Sequence, residues 1–178
     1  MTHGHHDHYS EKIFDLMKDN DVTYILSKDI KTDQENINWV EPGDQIKIDD
    51  LNIEVFGSTD LGVSFLIEHK GQRFFHSGDL NWWHWTSFTP EQLIQEEVDF
   101  KRVVDQLFNK KIDFYFVPVD HRLKEFSHLA FDYVKNNIKP KYLIPIHFGD
   151  HFETVKSLKG NETTQVLLAK KIRDLIYS

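Results

Sequence analysis

The spacing of apolar residues changes part-way along this chain, and that change constrains the fold more than any other feature. Between residues 22 and 75, five short β-type runs are separated by the turn pairs Pro42-Gly43, Asp49-Asp50 and Lys70-Gly71, which predicts an antiparallel meander. Beyond Pro90 the spacing becomes helical, and strands then alternate with helices. Strands followed by strand-helix alternation predict an α+β domain whose helices cover its sheets.

The predicted elements follow from this pattern. Strands are expected at residues 22–26, 45–48, 52–56, 63–67, 73–75, 112–119 and 141–147. Helices are expected at 10–18, 90–108, 127–138 and 152–158, with Ser10 as a candidate cap for the first and Pro90 opening the second. The last stretch, residues 165–177, fits either a helix or two short strands.

The composition narrows the class of protein. With 178 residues, 39% of them hydrophobic, the chain predicts a single domain over residues 1–178. A net charge of −8 provides no basic field for nucleic acid. No apolar run approaches the roughly 20 residues of a membrane span and no signal peptide is apparent, so a soluble, cytoplasmic protein without a membrane partner is expected. Cysteine is absent, so any metal must be held by His, Asp or Glu.

The densest chemical signal lies at the start of the chain. His3, His5, Asp7 and His8 place three imidazoles and one carboxylate within six positions, directly before a predicted helix. A metal site needs such convergence, because each ligand supplies a lone pair at about 2.0–2.2 Å from the ion. A His-rich terminus also occurs as a purification remnant or a solvated end, so the cluster alone leaves both interpretations open.

Three motifs together resemble those of the metallo-β-lactamase superfamily. Residues 2–8, Thr-His-Gly-His-His-Asp-His, match its T-H-x-H-x-D-H signature. Ser77-Gly78-Asp79 resembles the strand-end motif with the metal-bridging carboxylate, and Pro145-Ile146-His147 the strand-end motif with the last His. Alone, Asp79 fits a turn residue and His147 a core histidine; together and in this order, the motifs make the resemblance specific. It covers essentially the whole chain and is nearest to small stand-alone hydrolases akin to ascorbate-6-phosphate lactonases.

The resemblance implies an αββα four-layer sandwich that carries a metal-dependent hydrolase site. One or two divalent ions, zinc first, would be bound: the first by His3 and His5, the second by Asp7, His8 and His147, with Asp79 bridging them. The ions would share a hydroxide that attacks a small ester, lactone or phosphoester. Asp7 would also act catalytically, by holding or accepting the proton of that water.

The chain departs from the superfamily pattern in two ways. The loop at residues 56–62, where the pattern has a further His for the first metal, contains none. Either Asp60 replaces it with oxygen ligands, which favours manganese or iron, or one metal suffices; His69 and His76 are weaker substitutes. The signature also normally follows several strands but here begins at residue 2, so the resemblance predicts a sandwich truncated at its N-terminal edge.

Residues near the second and third motifs are candidates for substrate contacts. Trp83 fits either an apolar wall over the substrate or a core residue. His84 is a candidate acid. Arg122 could pair bidentately with a substrate carboxylate or phosphate, or pair instead with Asp120 or another surface acid.

Two alternatives to a small-molecule hydrolase remain at this point. One is a catalytically impaired or non-enzymatic metal-binding protein of the same fold, because a first-site His and an edge of the sheet are missing. The other is a nuclease of the same fold, which the acidic composition disfavours. The expected partner is a small-molecule substrate, and a homo-oligomer is possible.

Overall fold

The structure is a computed structural model that describes residues 1–168. A small parallel sheet contains β1 (Tyr24–Ser27) and β2 (Ile37–Val40). A seven-stranded sheet contains, in spatial order, β3 (Gln45–Ile48), β4 (Leu51–Phe56), β5 (Ser64–His69), β6 (Gln72–His76), β7 (Phe114–Pro118), β8 (Tyr142–Ile146) and β9 (Gln165–Val166). The helices are α1 (Lys12–Met17), α2 (Pro90–Val104), α3 (Leu129–Asn137) and α4 (Glu153–Lys156), with 3₁₀ turns at Asp105–Leu107 and His121–Phe126.

The large sheet has an antiparallel half and a parallel half. Strands β3 to β6 pair antiparallel, whereas β6 to β9 pair parallel. Parallel neighbours end at the same edge of a sheet, so the segments that follow β6, β7 and β8 lie side by side. These segments contain Asp79, Asp120 and His147.

Two cores hold the layers together. Between the large sheet and the helices α2 and α3, the rings of Phe75, Tyr115, Phe100 and Phe131 are fully or almost fully buried. A second core joins β2 of the small sheet to β4 and β5. Helix α1 lies beyond the small sheet, with the Phe14 ring 4.8 Å from that of Tyr24. The order helix, sheet, sheet, helix is the expected αββα arrangement, and it confirms the α+β class.

Most predicted elements are present, with shifted ends. The strand at 45–48 is found with those bounds, and helix α2 begins at Pro90 with a capping box formed by Thr89 and Gln92. The capping prediction for Ser10 is wrong, because Glu11 is the N-cap of α1 and makes no side-chain capping bond. Within 165–177 the structure has the two-residue strand β9; the rest of that prediction, beyond residue 168, lies outside the described residues.

The meander prediction is correct for β3 to β6 and wrong for β1. That strand pairs in parallel with β2, which the apolar pattern did not reveal because it is only four residues long and half of it is exposed. The longest described helix, α2, has 15 residues. Within residues 1–168, no helix combines the length and apolar character needed to cross a membrane.

Candidate metal centre

Residues 1–8, here called the N-terminal arm, are held between the two sheets by backbone hydrogen bonds. Ser27 N donates to Met1 O at 3.2 Å, and Val63 N donates to Thr2 O at 2.9 Å. A Cβ atom on Gly62 would lie 1.9 Å from Thr2 O, and one on Gly78 would lie 2.9 Å from Thr2 Cβ. Both glycines also have positive φ, so the arm passes where only glycine leaves room for it. This passage delivers the histidines to the edge where Asp79 and His147 lie.

The first ligand group comprises His3, His5 and Asp79, whose ligand atoms all lie within 4.8 Å of one another. His3 Nε2 is 3.0 Å from His5 Nδ1 and 3.4 Å from Asp79 Oδ2. The His3 side chain is fully buried, and this burial lowers its pKa even though Asp79 is close by. A lowered pKa favours the neutral imidazole, which is the form that binds a metal.

The second ligand group comprises Asp7, His8 and His147, with the same mutual spacing. Asp79 Oδ1 lies 3.0 Å from His8 Nε2 and 3.3 Å from His147 Nε2. Asp79 therefore lies between the groups, with Oδ2 towards His3 and Oδ1 towards the second group.

The donor atoms fit one or two divalent cations. Asp79 Oδ1 is buried and faces two imidazole nitrogens, His8 Nε2 and His147 Nε2, so a buried carboxylate oxygen and two possible ligand nitrogens converge on one point. Burial raises the pKa of Asp79, but the hydrogen bond and charge of His147 and the charges of His8 and His3 outweigh it and leave that pKa below its ordinary value. An ionised carboxylate among imidazoles is a donor set that zinc accepts.

Thr2 contacts an imidazole from each ligand group. Its Oγ1 lies 3.2 Å from His3 Nδ1 and 3.3 Å from His8 Nδ1. A hydroxyl oxygen can accept from both rings, which leaves each Nε2 lone pair free for a cation. From the sequence, Thr2 was only one position of the motif. Its contact with both imidazoles depends on how the N-terminal arm folds.

His147 is held on its other side by a carboxylate that sequence reasoning did not assign to the site. Asp120 is 1% exposed, and its Oδ2 lies 3.1 Å from His147 Nδ1. This contact, and secondarily Asp79, raises the pKa of His147 to about 10. Arg122 Nε lies 2.9 Å from each oxygen of Asp120. Arg122 therefore pairs with Asp120, one of the partners predicted for it.

The substitutes considered for the missing first-site His lie at the margin or elsewhere. Asp60 Oδ2 is 3.8 Å from His5 Nδ1, but Asp60 is outside the first ligand group. His69 pairs with Asp50 at 3.4 Å, near the far end of β5. His76 Nδ1 accepts a hydrogen bond from Gly78 N and its ring stacks on Phe116, so it belongs to neither ligand group.

A cavity of about 450 Å³ opens over the two groups. Its wall includes Trp83, which is only 6% exposed, stacks on Trp85 and meets the His147 ring edge-on at 6.0 Å. Trp83 thus serves as both core and wall. Arg122 also lines the cavity and lies over the Trp85 ring, whereas His84 does not line it and packs on Phe126.

The cavity is acidic, and one of its acids was not anticipated. Asp7, Asp60, Asp79 and Glu96 all line it. Burial, followed by the charges of Asp99 and Asp60, raises the pKa of Glu96. The sequence could have indicated Glu96 only through its place on the helix that follows the second motif.

The order of the layers and the position of the ligand groups are those of a metallo-β-lactamase fold. Comparison with solved structures shows the same fold. A candidate metal-dependent hydrolase from Parabacteroides distasonis superposes with a TM-score of 0.63 and 18% identity, over 94% of this chain and 73% of that one. A variant of the CmlA β-hydroxylase superposes with a TM-score of 0.55 and 10% identity, over 84% of this chain and 36% of that one.

A candidate zinc-dependent hydrolase of the metallo-β-lactamase superfamily from Thermotoga maritima aligns with a TM-score of 0.48 and 14% identity, over 81% of this chain and 80% of that one. No protein-family model matches the chain, and no curated protein does. The superpositions with TM-scores of 0.63 and 0.55 show a shared fold alone, and fold does not fix chemistry.

Proposed function

We propose that this chain is a metal-dependent hydrolase that cleaves a small ester, lactone or phosphoester. The observation that carries the proposal is a pair of adjacent ligand groups, each of which lines one cavity with two of its members: His5 and Asp79 from the first group, and Asp7 and His147 from the second. Divalent cations held there, zinc first and manganese or iron as alternatives, would lower the pKa of a shared water towards neutrality and polarise the substrate.

The remaining roles fall to this chain's own side chains. Asp7 is about half exposed, lines the cavity and belongs to the second ligand group, so it can orient an attacking water and accept its proton. The Asp79 carboxylate would contribute to both ligand groups and keep them next to each other. Asp60 would contribute an oxygen at the margin of the first group, where its Oδ2 lies 3.8 Å from His5.

The cavity limits the substrate to a small molecule. A volume of about 450 Å³ lies in the range of small-ligand sites, which is roughly 300–1,000 Å³. The Trp83 and Trp85 rings would contact an apolar part of the substrate. The net charge of −8 disfavours nucleic acid, whose phosphates require a basic surface.

The test is metal content and hydrolysis, measured together. Wild-type protein and the His147→Ala variant are purified without a metal-affinity column, and the metal content of each is measured by elemental analysis. The same samples are assayed on a generic ester, a lactone and a phosphodiester. We expect bound divalent metal and turnover of at least one substrate in wild type, and loss of both in His147→Ala.

A surface histidine provides the control. His128 pairs with Asp132 outside the two ligand groups, so His128→Ala is expected to behave as wild type. Metal bound without any turnover would point to a non-enzymatic metal-binding protein. Metal content unaffected by His147→Ala would remove that residue from the site.

A further inference from the structure

We propose that Asp120 is a positioning residue for the metal centre: it fixes the protonated nitrogen of His147, so that the opposite nitrogen is available to a cation. The inference rests on the proposed metal site and extends it to a residue outside both ligand groups. It assigns to Asp120 a task that the sequence motifs do not carry.

The two ring nitrogens of His147 face different carboxylates. Nε2 is 3.3 Å from Asp79 Oδ1, inside the ligand cluster, whereas Nδ1 is 3.1 Å from Asp120 Oδ2. Nδ1 is buried and makes no hydrogen bond to any other group among the described residues, which leaves the Asp120 carboxylate as the group that faces it. A neutral imidazole has one N–H and one lone pair, and the carboxylate decides which nitrogen has the proton. With Asp120 ionised, the one proton that His147 keeps when a cation binds belongs on Nδ1, which leaves the lone pair on Nε2.

Asp120 is itself held rigidly. Arg122 donates to it from its backbone N at 2.8 Å and from Nε at 2.9 Å to each oxygen. The Arg122 guanidinium in turn lies 5.3 Å from the centroid of the Trp85 ring, which forms part of the cavity wall. The burial of Asp120 is therefore compensated by charge and hydrogen bonds, and its carboxylate is oriented before any cation arrives.

Asp120→Asn tests the inference most sharply. An amide N–H in place of Oδ2 would face Nδ1 as a donor and drive the proton to Nε2, the nitrogen needed for the cation. We expect zinc affinity of the second ligand group to fall about 10- to 100-fold, the usual effect of losing an outer partner of a histidine ligand. Asp120→Glu, which keeps a carboxylate, should recover part of the loss. Affinity is measured by competition with a chromophoric chelator, and the cobalt-substituted spectrum reports the second site.

Asp132→Asn is the matched control. Like Asp120, Asp132 lies between an imidazole and a basic side chain: it is 3.7 Å from His128 Nε2 and 2.6 Å from Lys135 Nζ. It lies outside the ligand groups. It should leave zinc affinity and the cobalt spectrum unchanged. Circular dichroism and thermal unfolding verify that each variant is folded.

A second measurement does not depend on any variant folding. In zinc-loaded wild type, long-range ¹H–¹⁵N correlation of the His147 ring identifies the protonated nitrogen, and we expect Nδ1. Protonation of Nε2, or wild-type zinc affinity in folded Asp120→Asn, would overturn the inference while leaving the proposed function intact. Failure of wild type to bind zinc would overturn both.

Discussion

His8 and Asp79 meet at 3.0 Å, Nε2 to Oδ1, although one lies in the N-terminal arm and the other follows β6. The second oxygen of the same carboxylate is 3.4 Å from His3 Nε2. Asp79 is thus the residue through which the two ligand groups are joined, and a change there should affect both.

Asp79→Asn is expected to abolish metal binding at both groups. The amide lacks the charge that offsets two cations. Zinc affinity should therefore fall by more than roughly 100-fold, the largest usual effect of losing a residue that only hydrogen-bonds to a metal ligand. His3→Ala should weaken the first group and leave the second measurable. Elemental analysis with chelator competition distinguishes the two patterns. Equal zinc content in Asp79→Asn and wild type would contradict a joining role.

Gly62→Ala is expected to displace the N-terminal arm. The added Cβ would meet Thr2 O at 1.9 Å, on top of a backbone φ of +78° that disfavours a side chain. Gly71→Ala is the control, because its φ is +75° and nothing lies within 4 Å of the new Cβ. Backbone strain should cost each variant about 1–3 kcal/mol of unfolding free energy. Urea denaturation should show a larger loss for Gly62→Ala, accompanied by lost zinc; equal losses would contradict the clash.

Asp60→His is expected to strengthen the first ligand group. Asp60 lies beside His5, and an imidazole there would add the nitrogen donor that the loop lacks. Nitrogen in place of oxygen shifts preference from manganese towards zinc. Competition between the two ions, followed by elemental analysis, measures that shift. Asp50→His, in the turn between β3 and β4 and beside His69 at the far end of β5, should not change it.

The metal-free protein should become less stable as pH rises above neutrality. Asp120, then Asp79, raise the pKa of His147 to about 10, from about 6.5 in an unfolded chain. A raised pKa gives stability that is complete below 6.5 and lost as pH rises through 10. Chelator-treated wild type should therefore show a falling urea midpoint between pH 7 and 10. In His147→Gln the decline should be smaller, and parallel curves would contradict this assignment.

Motifs at strand ends were the part of the site most accessible from the sequence. Asp79 and His147 each follow an apolar run that ends in a turn. The strand and the polar residue after it can therefore be recognised from the neighbouring sequence alone. Parallel pairing of β6 to β8 then brings them to one edge. The alternation of strands and helices predicted an α+β domain with helices over its sheets, and the αββα order was implied by the resemblance that these motifs carry.

Partners that depend on tertiary adjacency were not accessible in this way. Asp120 was expected at the sheet edge shared with Asp79 and His147, but only as a partner of Arg122, because its contact with the His147 ring depends on how the two segments pack. Thr2 contacts two rings only because the arm passes Gly62 and Gly78. His84 was expected at the cavity and instead packs on Phe126, since the direction of a side chain in an irregular segment depends on packing.

The ligand groups draw on the first residues of the chain and on a residue that follows β8, so nearly the whole described fold lies between them. A cation bound there would cross-link the start of the chain to the segment after β8, and so close one very long loop. At a free concentration 100 times its Kd, it would add about 2.7 kcal/mol to the stability of the folded state. Removing it would then loosen the domain as a unit instead of merely fraying the end that bears the histidines.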